Sequence, residues 1–372
     1  MDVPAPSEHL SAPPPAGGPL RVTPVPPSLA RIAARVDGRI DCLLRAERGR
    51  WAEVDPDLAE LLDAIGALVL AGGKRLRPAF CYWAYVAAGG DPDDALVVDA
   101  GAALELLHSF ALIHDDIMDG SSLRRGRPTV HRRYEGLHAG GGWRGDGRRF
   151  GDGMAILAGD LAFVYADLLL AGAPRPAIDV FTELRLEVNV GQYLDLLATA
   201  RGEVDLDKAR RICRYKSGSY TVERPLHLGA ALAGRLDELG PALSAVGSPL
   251  GEAFQLRDDL LGAFGDPALT GKPVGEDLRE GKPTALYAYA LAGAPEADAR
   301  LLTGRFGAPD LSPGEIAELQ AVLERSGARR RVERAIDEQV DEALTALHRA
   351  GLGPEATERL AELARFVAGR DH

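Results

Sequence analysis

The sequence predicts an all-α fold, and this prediction rests on its composition, its hydrophobic periodicity and the spacing of its glycines and prolines. The 372 residues are rich in Ala, Leu, Arg and Glu, which favour helix, and runs of alternating β-branched residues are rare. Gly or Pro ends most periodic runs, as at Gly72-Gly73, Gly89-Gly90 and Gly265-Asp266-Pro267. The apolar share of 46% and the charged share of 26% are ordinary for globular proteins and exclude collagen-like or wholly disordered chains.

The elements follow in chain order after a proline-rich start. Nine prolines fall between Pro4 and Pro27, so we expect residues 1–27 to form a disordered tail. The glycines and arginines of 136–153 predict an exposed loop, and 312–370 predicts charged amphipathic helices that cover a core. Helices are predicted at 29–48, 56–71, 75–88, 92–119, 154–172, 176–200, 206–234, 240–264, 282–293, 312–325 and 328–349.

Charge and cysteine usage limit the classes of partner and compartment. The net charge of −12 argues against broad nucleic-acid binding, because a phosphate backbone favours a basic surface. Three widely spaced cysteines predict neither a zinc ribbon nor a disulfide framework, which fits a cytoplasmic protein. No signal peptide is expected. The stretch expected to be the most apolar, 155–173, is interrupted by Asp160 and Asp167, so no membrane span is expected either.

The most informative residues are three carboxylates at the end of a long apolar helix, Asp115, Asp116 and Asp119. At about 100° per residue, Asp115 and Asp119 lie one turn apart on one helix face, where like charges repel. A bound cation explains such a pair best, and all-oxygen ligands suit Mg²⁺. The alternative is a solvated acidic helix end.

A second acidic face weakens that alternative. Gln255, Asp258 and Asp259 lie at i, i+3 and i+4 of another apolar helix. Two such faces suggest several metal ions around one highly charged ligand, for which diphosphate is the obvious candidate.

Basic residues beside glycine turns complete the pattern. Each alone is more often a surface charge, but together with two acidic faces they suit two diphosphate groups, one bound through metal and one by cations alone. His108, seven residues before Asp115, is equally well explained as a diphosphate donor or as a satisfied core residue. The basic set is Lys74, Arg77, Arg124, Arg125, Lys216, Lys272 and Lys282.

In order and spacing, these motifs resemble those of the trans-isoprenyl diphosphate synthases, or polyprenyl synthetases, in particular the geranylgeranyl diphosphate synthases. The resemblance covers roughly residues 30 to 350. It rests on GGKRLRP at 72–78, ELLHSFALIHDDIMD at 105–119, SSLRRGRPT at 121–129, FQLRDDLLGAFGD at 254–266 and the two later lysines, Lys272 and Lys282. It implies an isoprenoid synthase-type helical bundle around a deep central cavity, usually as a homodimer. Because the motifs must converge on that cavity, residues 28–372 are expected to form a single all-α domain.

The resemblance also implies roles for the site residues. Asp115 and Asp119 would ligate two Mg²⁺ ions and Asp258 a third, with Asp116 and Asp259 beside them. The allylic diphosphate would be held by Arg124, Lys216, Lys272 and Lys282 with Gln255 nearby. Isopentenyl diphosphate would be held by Lys74, Arg77, His108 and Arg125.

The chemistry implied by the family needs no side-chain nucleophile. Metal ions and lysines stabilise the departing diphosphate, and the double bond of isopentenyl diphosphate attacks the resulting allylic cation. Three rivals remain. A class I terpene cyclase needs a second metal motif with Asn, Ser and Glu, an HD-type phosphohydrolase needs more histidine ligands, and a non-catalytic subunit would lose more charged positions.

Two positions depart from the family pattern, and chain length is open. Gly262 stands where the second motif usually has its third Asp, so weaker metal binding is expected, and Ser217 replaces a frequent Thr.

The prenyl tail would pass Ala111, Leu107 and Leu104. Phe110 resembles the bulky residue five positions before the first Asp in geranylgeranyl-type enzymes, although a helical wheel places it about 140° from Asp115. The expected product is C20 geranylgeranyl diphosphate, with C15 farnesyl diphosphate next.

Overall fold

Helices make up nearly all of the chain that the computed structural model describes, which is residues 25–265, 275–308 and 310–369. The predicted all-α fold is therefore confirmed. The predicted tail lies outside the described residues except for 25–27, where Pro27 begins the first helix.

The helices are α1 (Pro27–Ala52), α2 (Leu58–Val69), α3 (Leu76–Ala87), α4 (Ala95–Met118), α5 (Val130–Gly141), α6 (Gly147–Leu169), α7 (Arg175–Arg201), α8 (Leu206–Ile212), a π-helix (Cys213–Glu223), α9 (Arg224–Leu232), α10 (Leu236–Phe264), α11 (Glu276–Glu280), α12 (Ala285–Gly293), α13 (Glu296–Arg305), α14 (Pro313–Arg325), α15 (Ala328–Arg349) and α16 (Pro354–Gly369). Between α4 and α5, the two-residue strands β1 (Leu123–Arg124) and β2 (Arg127–Pro128) pair in an antiparallel hairpin.

Helix α4 forms the centre of the bundle. Its N-terminus is capped by the Asp94 side chain, which accepts a hydrogen bond from Leu96 N at 2.9 Å. Ala100, Leu104 and Leu107 are fully buried between α3 and α6, in an apolar cluster that runs from Leu29 to Val367. The burial of α4 holds its acidic C-terminal end at a fixed place in the bundle.

Within the described residues, α4 is the one helix that is long enough and apolar enough to cross a membrane, judged by length and composition alone. It has 24 residues, and 61% of its most apolar window is buried inside the protein. The expected most apolar stretch was 155–173, so that ranking was wrong. A central helix of a large bundle needs apolar residues on nearly all sides, and this explains the composition of α4.

The predicted loop at 136–153 was wrong, because most of it is helical. Helix α5 continues to Gly141 and α6 begins at Gly147, with the Asp146 side chain accepting a hydrogen bond from Arg149 N at 2.7 Å. A β-carbon on Gly151 would overlap the backbone carbonyl of His131. This glycine therefore permits close packing of α5 against α6, whereas the sequence pattern suggested a turn.

The continuous helix predicted for 206–234 is interrupted by the π-helix. Close backbone contacts surround this segment: a β-carbon on Gly251 would lie 2.7 Å from the carbonyl of Gly218, and one on Gly191 would overlap the backbone N of Lys216. Glycines on α7 and α10 thus let both helices pack against the π-helix. A π-helix at such a position often marks a functional site.

The predicted helix at 282–293 begins later, at Ala285. The Thr284 side chain accepts a hydrogen bond from Tyr287 N at 3.2 Å and caps α12, while Lys282 and Pro283 remain in the preceding turn. The short helix α11 and the helix α13 were not predicted, whereas α14 and α15 match their predicted ranges within one residue.

Candidate active site

One cleft of about 340 Å³ collects a large group of the predicted site residues. It is bounded by the end of α4, the β-hairpin, the π-helix, α10 and the segment 276–285. Seven of the predicted residues line it, namely Asp115, Arg124, Lys216, Gln255, Asp258, Asp259 and Lys282. The structure therefore brings together two acidic helices and the cations placed between them.

The first acidic face is held by a lysine from the π-helix. Lys216 Nζ lies 3.2 Å from Asp115 Oδ1 and 2.6 Å from Asp195 Oδ2. Gln192 Nε2 donates a hydrogen bond to the same Asp115 oxygen at 3.1 Å. The sequence analysis missed Gln192 and Asp195, which lie at i and i+3 on α7. Their spacing was the available signal.

The other two carboxylates of this face have their own cations. Lys282 Nζ lies 3.1 Å from Asp119 Oδ2 and 2.7 Å from Glu280 Oε2. Arg124 Nη2 donates to Asp116 Oδ1 at 2.5 Å. Asp116 is almost completely buried, so its paired carboxylate anchors the β-hairpin beside the cleft.

Electrostatics keep the first face charged. Burial works against the ionised form of Asp115, but Lys216, Lys282 and Arg124 hold its pKa well below its ordinary value. Burial likewise works against charged Lys216 and Lys282, but the surrounding carboxylates raise the pKa of each lysine. At neutral pH this side of the cleft is therefore a network of full charges.

The second acidic face has a different charge state. Burial, together with the charges of the neighbouring Asp277 and Asp258, raises the pKa of Asp259 to about 8 against the hydrogen bond from Gln255. Gln255 Nε2 donates that bond to Asp259 Oδ1 at 2.7 Å. Negative groups are crowded on this face, and an added cation would relieve that crowding.

A separate cationic group surrounds His108, two turns before Asp115 on α4. Arg77 Nη2 donates to Thr221 Oγ1 at 2.8 Å, and its guanidinium lies 4.1 Å from the ring centre of Tyr220. The Tyr220 hydroxyl lies 2.5 Å from His108 Nδ1. Burial, followed by the charges of nearby arginines, lowers the pKa of His108 well below its ordinary value, so its ring is neutral at pH 7.

Arg75 is the residue of this region that the sequence analysis did not single out. It is buried and donates hydrogen bonds from Nε to Asp37 Oδ1 at 2.8 Å and from Nη1 to Glu105 Oε2 at 2.6 Å. Its φ of 50° gives the chain the left-handed conformation that precedes α3. A glutamate in the apolar run of α4, Glu105, was the signal that a buried cation was required.

The predicted residues Lys74, Arg77, His108 and Arg125 are not among the described residues that line the cleft. Arg125 donates to the carbonyl of Gly72, and Lys74 Nζ lies 5.5 Å from the ring centre of Phe366. The charge of Arg125 helps to lower the pKa of His108, so Arg125 belongs to the same cationic group. The predicted residue Lys272 lies outside the described residues.

The residues predicted to limit product length lie along α4 below the cleft. Leu104 and Leu107 are fully buried, while Phe110 and Ala111 are partly exposed. The Phe110 ring packs against His114 and Phe163, with ring centres 4.6 and 4.9 Å apart. Phe110 thus faces α6. Its predicted role in product length stays a prediction.

The donor set of the cleft fits a hard divalent cation. In 25–265, 275–308 and 310–369, no three His, Cys, Asp or Glu side chains form a ready-made metal site. The carboxylates that line the cleft instead come from four helices: Asp115 on α4, Asp195 on α7, Asp258 and Asp259 on α10, and Glu276 and Asp277 on α11. Mg²⁺ prefers oxygen ligands and commonly takes one or two carboxylates together with substrate phosphate oxygens, so these groups suit it with a phosphate ligand present.

Comparison with known proteins agrees with this geometry. A family model described as polyprenyl synthetase matches residues 59–323. A geranylfarnesyl diphosphate synthase of Aeropyrum pernix is 35% identical over 70% of this chain and 78% of its own. A (2E,6E)-farnesyl diphosphate synthase of Mycobacterium bovis is 33% identical over 80% of each chain.

Among solved structures, a geranylgeranyl pyrophosphate synthase of Corynebacterium glutamicum, complexed with isoprenyl diphosphate and magnesium, is similar with a TM-score of 0.88. It is 37% identical, and the alignment covers 92% of this chain and 99% of the other. The matched range of the family model includes both acidic helices and the cations between them. The chain therefore belongs to the polyprenyl synthetase family, the trans-isoprenyl diphosphate synthases.

Proposed function

We propose that this short-chain prenyltransferase condenses isopentenyl diphosphate with allylic diphosphates in a Mg²⁺-dependent reaction and releases C20 geranylgeranyl diphosphate. The observation that carries the proposal is the cleft itself, where carboxylates of α4 and α10 flank Lys216, Lys282 and Arg124. Such a site binds a polyanion together with divalent cations, and the proposed reaction needs no side-chain nucleophile.

The cations of the cleft stabilise the leaving group. As the allylic C–O bond breaks, both bonding electrons pass to the diphosphate, and Lys216, Lys282 and Arg124 stabilise that growing charge. The double bond of isopentenyl diphosphate then forms the new C–C bond with the allylic cation, and loss of a proton, to the released diphosphate, restores a double bond. Asp115, Asp119 and Asp258 would hold Mg²⁺. The bound metal would supply further Lewis-acid stabilisation of the diphosphate oxygens.

The ion pairs of the cleft prepare the exchange of partners that this reaction requires. Lys216 and Lys282 neutralise Asp115 and Asp119 when no substrate is bound. If a diphosphate bound together with divalent cations, each lysine would be able to contact phosphate oxygens. The aspartate that it had neutralised would then be able to hold a metal ion. Both charges stay compensated throughout, which avoids the cost of leaving a buried charge unpaired.

Product length is the finer part of the proposal. The small side chain of Ala111 leaves space directly below Asp115, and the bulky Phe110 resembles a residue of geranylgeranyl-type enzymes. The named relatives make products of different lengths, so the C15 product is the alternative.

Incubation with isopentenyl and dimethylallyl diphosphates and Mg²⁺, followed by chromatography of the dephosphorylated products, tests the assignment. We expect a dominant C20 alcohol and no turnover when EDTA replaces Mg²⁺. A dominant C15 product, or products of C30 and longer, would refute the C20 assignment. Full activity in EDTA would refute the metal requirement.

We also propose that the protein is a homodimer that associates through α6 and α7. Leu157 on α6 is 54% exposed, and Val190 and Tyr193 on α7 are 52% and 65% exposed. Further large apolar side chains are exposed on the same two helices, namely Ile156, Val164, Leu168 and Leu186. A concentration of exposed large apolar side chains on two helices is typical of a protein–protein interface.

Light scattering coupled to size-exclusion chromatography tests this interface. We expect a wild-type mass near twice 39.5 kDa and a predominantly monomeric Val190→Asp variant, because a charge in an apolar interface is costly. Val54→Asp is the matched control, since Val54 is exposed in the turn after α1 and belongs to neither helix. A wild-type protein that is monomeric at micromolar concentration would contradict the proposal.

A further inference from the structure

The missing third aspartate of the second acidic face has a structural explanation. Gly262 on α10 lies one turn after Asp258, where a side chain would point into the cleft. A β-carbon placed on Gly262 would overlap Oδ2 and Cγ of Asp277. Its distance to both atoms would be well below 3.0 Å, and real β-carbons almost never lie that close to another heavy atom. The space that a side chain at position 262 needs is therefore filled by the carboxylate of Asp277.

Asp277 is also in the right place to act on the cleft. It lies on α11 and lines the cleft together with Asp258, Asp259 and Lys282. Its backbone carbonyl accepts a hydrogen bond from Lys282 N at 3.2 Å, across the turn at Gly281. The turn therefore fixes Asp277 relative to the lysine that contacts Asp119.

We propose that Asp277 supplies the third carboxylate of the second acidic face and takes, from the adjacent helix α11, the place of the side chain that position 262 lacks. The inference rests on the proposed Mg²⁺-dependent function. Three carboxylates, two from α10 and one from α11, then attract a divalent cation to the side of the cleft opposite Asp115. The sequence predicted weaker metal binding because of Gly262. With Asp277 in this role, we instead expect full metal affinity, and we expect it to depend on Asp277.

Metal binding measured without turnover tests this role. Mn²⁺ serves as the probe, and its binding is followed by electron paramagnetic resonance in the presence of inorganic diphosphate. We expect Asp277→Asn, which keeps size and hydrogen-bonding capacity, to weaken Mn²⁺ binding by about 10-fold or more. The control Asp298→Asn removes a carboxylate that pairs with Arg325 away from the cleft, and it should bind Mn²⁺ like the wild type.

A side-chain swap separates this role from a purely structural one. Gly262→Asp alone should lower Tm because of the overlap with Asp277, and Asp277→Ala alone should weaken Mn²⁺ binding. The double variant places the carboxylate on α10 and removes the overlapping atoms, so both Tm and Mn²⁺ affinity should recover relative to the respective single variants.

Two results would overturn the inference while leaving the proposed function intact. One is an Asp277→Asn variant that binds Mn²⁺ like the wild type, and the other is a folded double variant that binds no better than Asp277→Ala. A wild-type protein that fails to bind Mn²⁺ with diphosphate would instead overturn the metal-dependent function, and this inference with it.

Discussion

Replacing Asp115 with Asn is expected to lower kcat/KM by at least about 10³-fold, since a lost metal ligand removes several kcal/mol of transition-state stabilisation and each 1.36 kcal/mol is tenfold. Asp115 contacts Lys216 and Gln192 and lies 3.7 Å from Arg124. The substitution keeps the size of the side chain but removes the charge that these groups surround. The Asp115→Asn, Asp119→Asn double variant should show no measurable turnover.

Steady-state kinetics with a radiolabelled isopentenyl diphosphate measures this loss, and thermal unfolding shows whether each variant is folded. Asp63→Asn is a suitable control, because Asp63 pairs with Arg48 through two hydrogen bonds on the outside of the bundle. That control should retain wild-type kcat/KM, as partly exposed pairs contribute little. If Asp115→Asn kept more than a tenth of wild-type activity, Asp115 would not be a metal ligand.

The parts of this site that the sequence predicts are those encoded by local spacing. Asp115 and Asp119 lie one turn apart on α4, and Asp258 and Asp259 lie three and four residues after Gln255 on α10, so helical periodicity alone groups each set. Like charges at that spacing favour a bound cation, which indicates the chemistry as well. The helical fold follows from the same periodicity.

The parts that the sequence does not predict depend on contacts between distant segments. Asp277 fills the space at Gly262, and only the folded chain shows that a substitution on α10 is matched by a side chain on α11. Glycine itself is ambiguous, because the same residue permits a turn or a close helix contact. Gly151 was assigned to a loop for that reason, although it packs against the His131 carbonyl.

The π-helix was unpredictable for a related reason. The segment from Cys213 to Glu223 was predicted as part of one continuous helix, and its wider turn accompanies close packing against α7 and α10. The consequence is functional, because Lys216 lies on this segment and its direction depends on the packing. The glycine on α7 that faces Lys216 is therefore a determinant of the site that no local pattern reveals.

Gly191→Ala should impair both stability and catalysis, because a methyl group at residue 191 would overlap the backbone N of Lys216 and lie 2.5 Å from its Cα. Backbone atoms cannot rotate away as a side chain does, so the π-helix must shift. Overpacking of this kind costs about 1–3 kcal/mol of unfolding free energy. A shift of about 1 Å at Lys216 is enough to lower kcat/KM by about 10²-fold, because the ammonium group leaves its place between Asp115 and Asp195.

Gly38→Ala provides the matched control, since a β-carbon on Gly38 of α1 would meet nothing within 4 Å. That substitution should leave kcat/KM unchanged and raise stability by up to about 1 kcal/mol, because alanine favours helix. Assays well below the Tm of both variants separate misplacement of Lys216 from simple unfolding. If Gly191→Ala unfolded at lower temperature but kept wild-type kcat/KM, the position of Lys216 would not depend on this helix contact. A joint loss would show that α7 positions the diphosphate-binding lysine through its backbone.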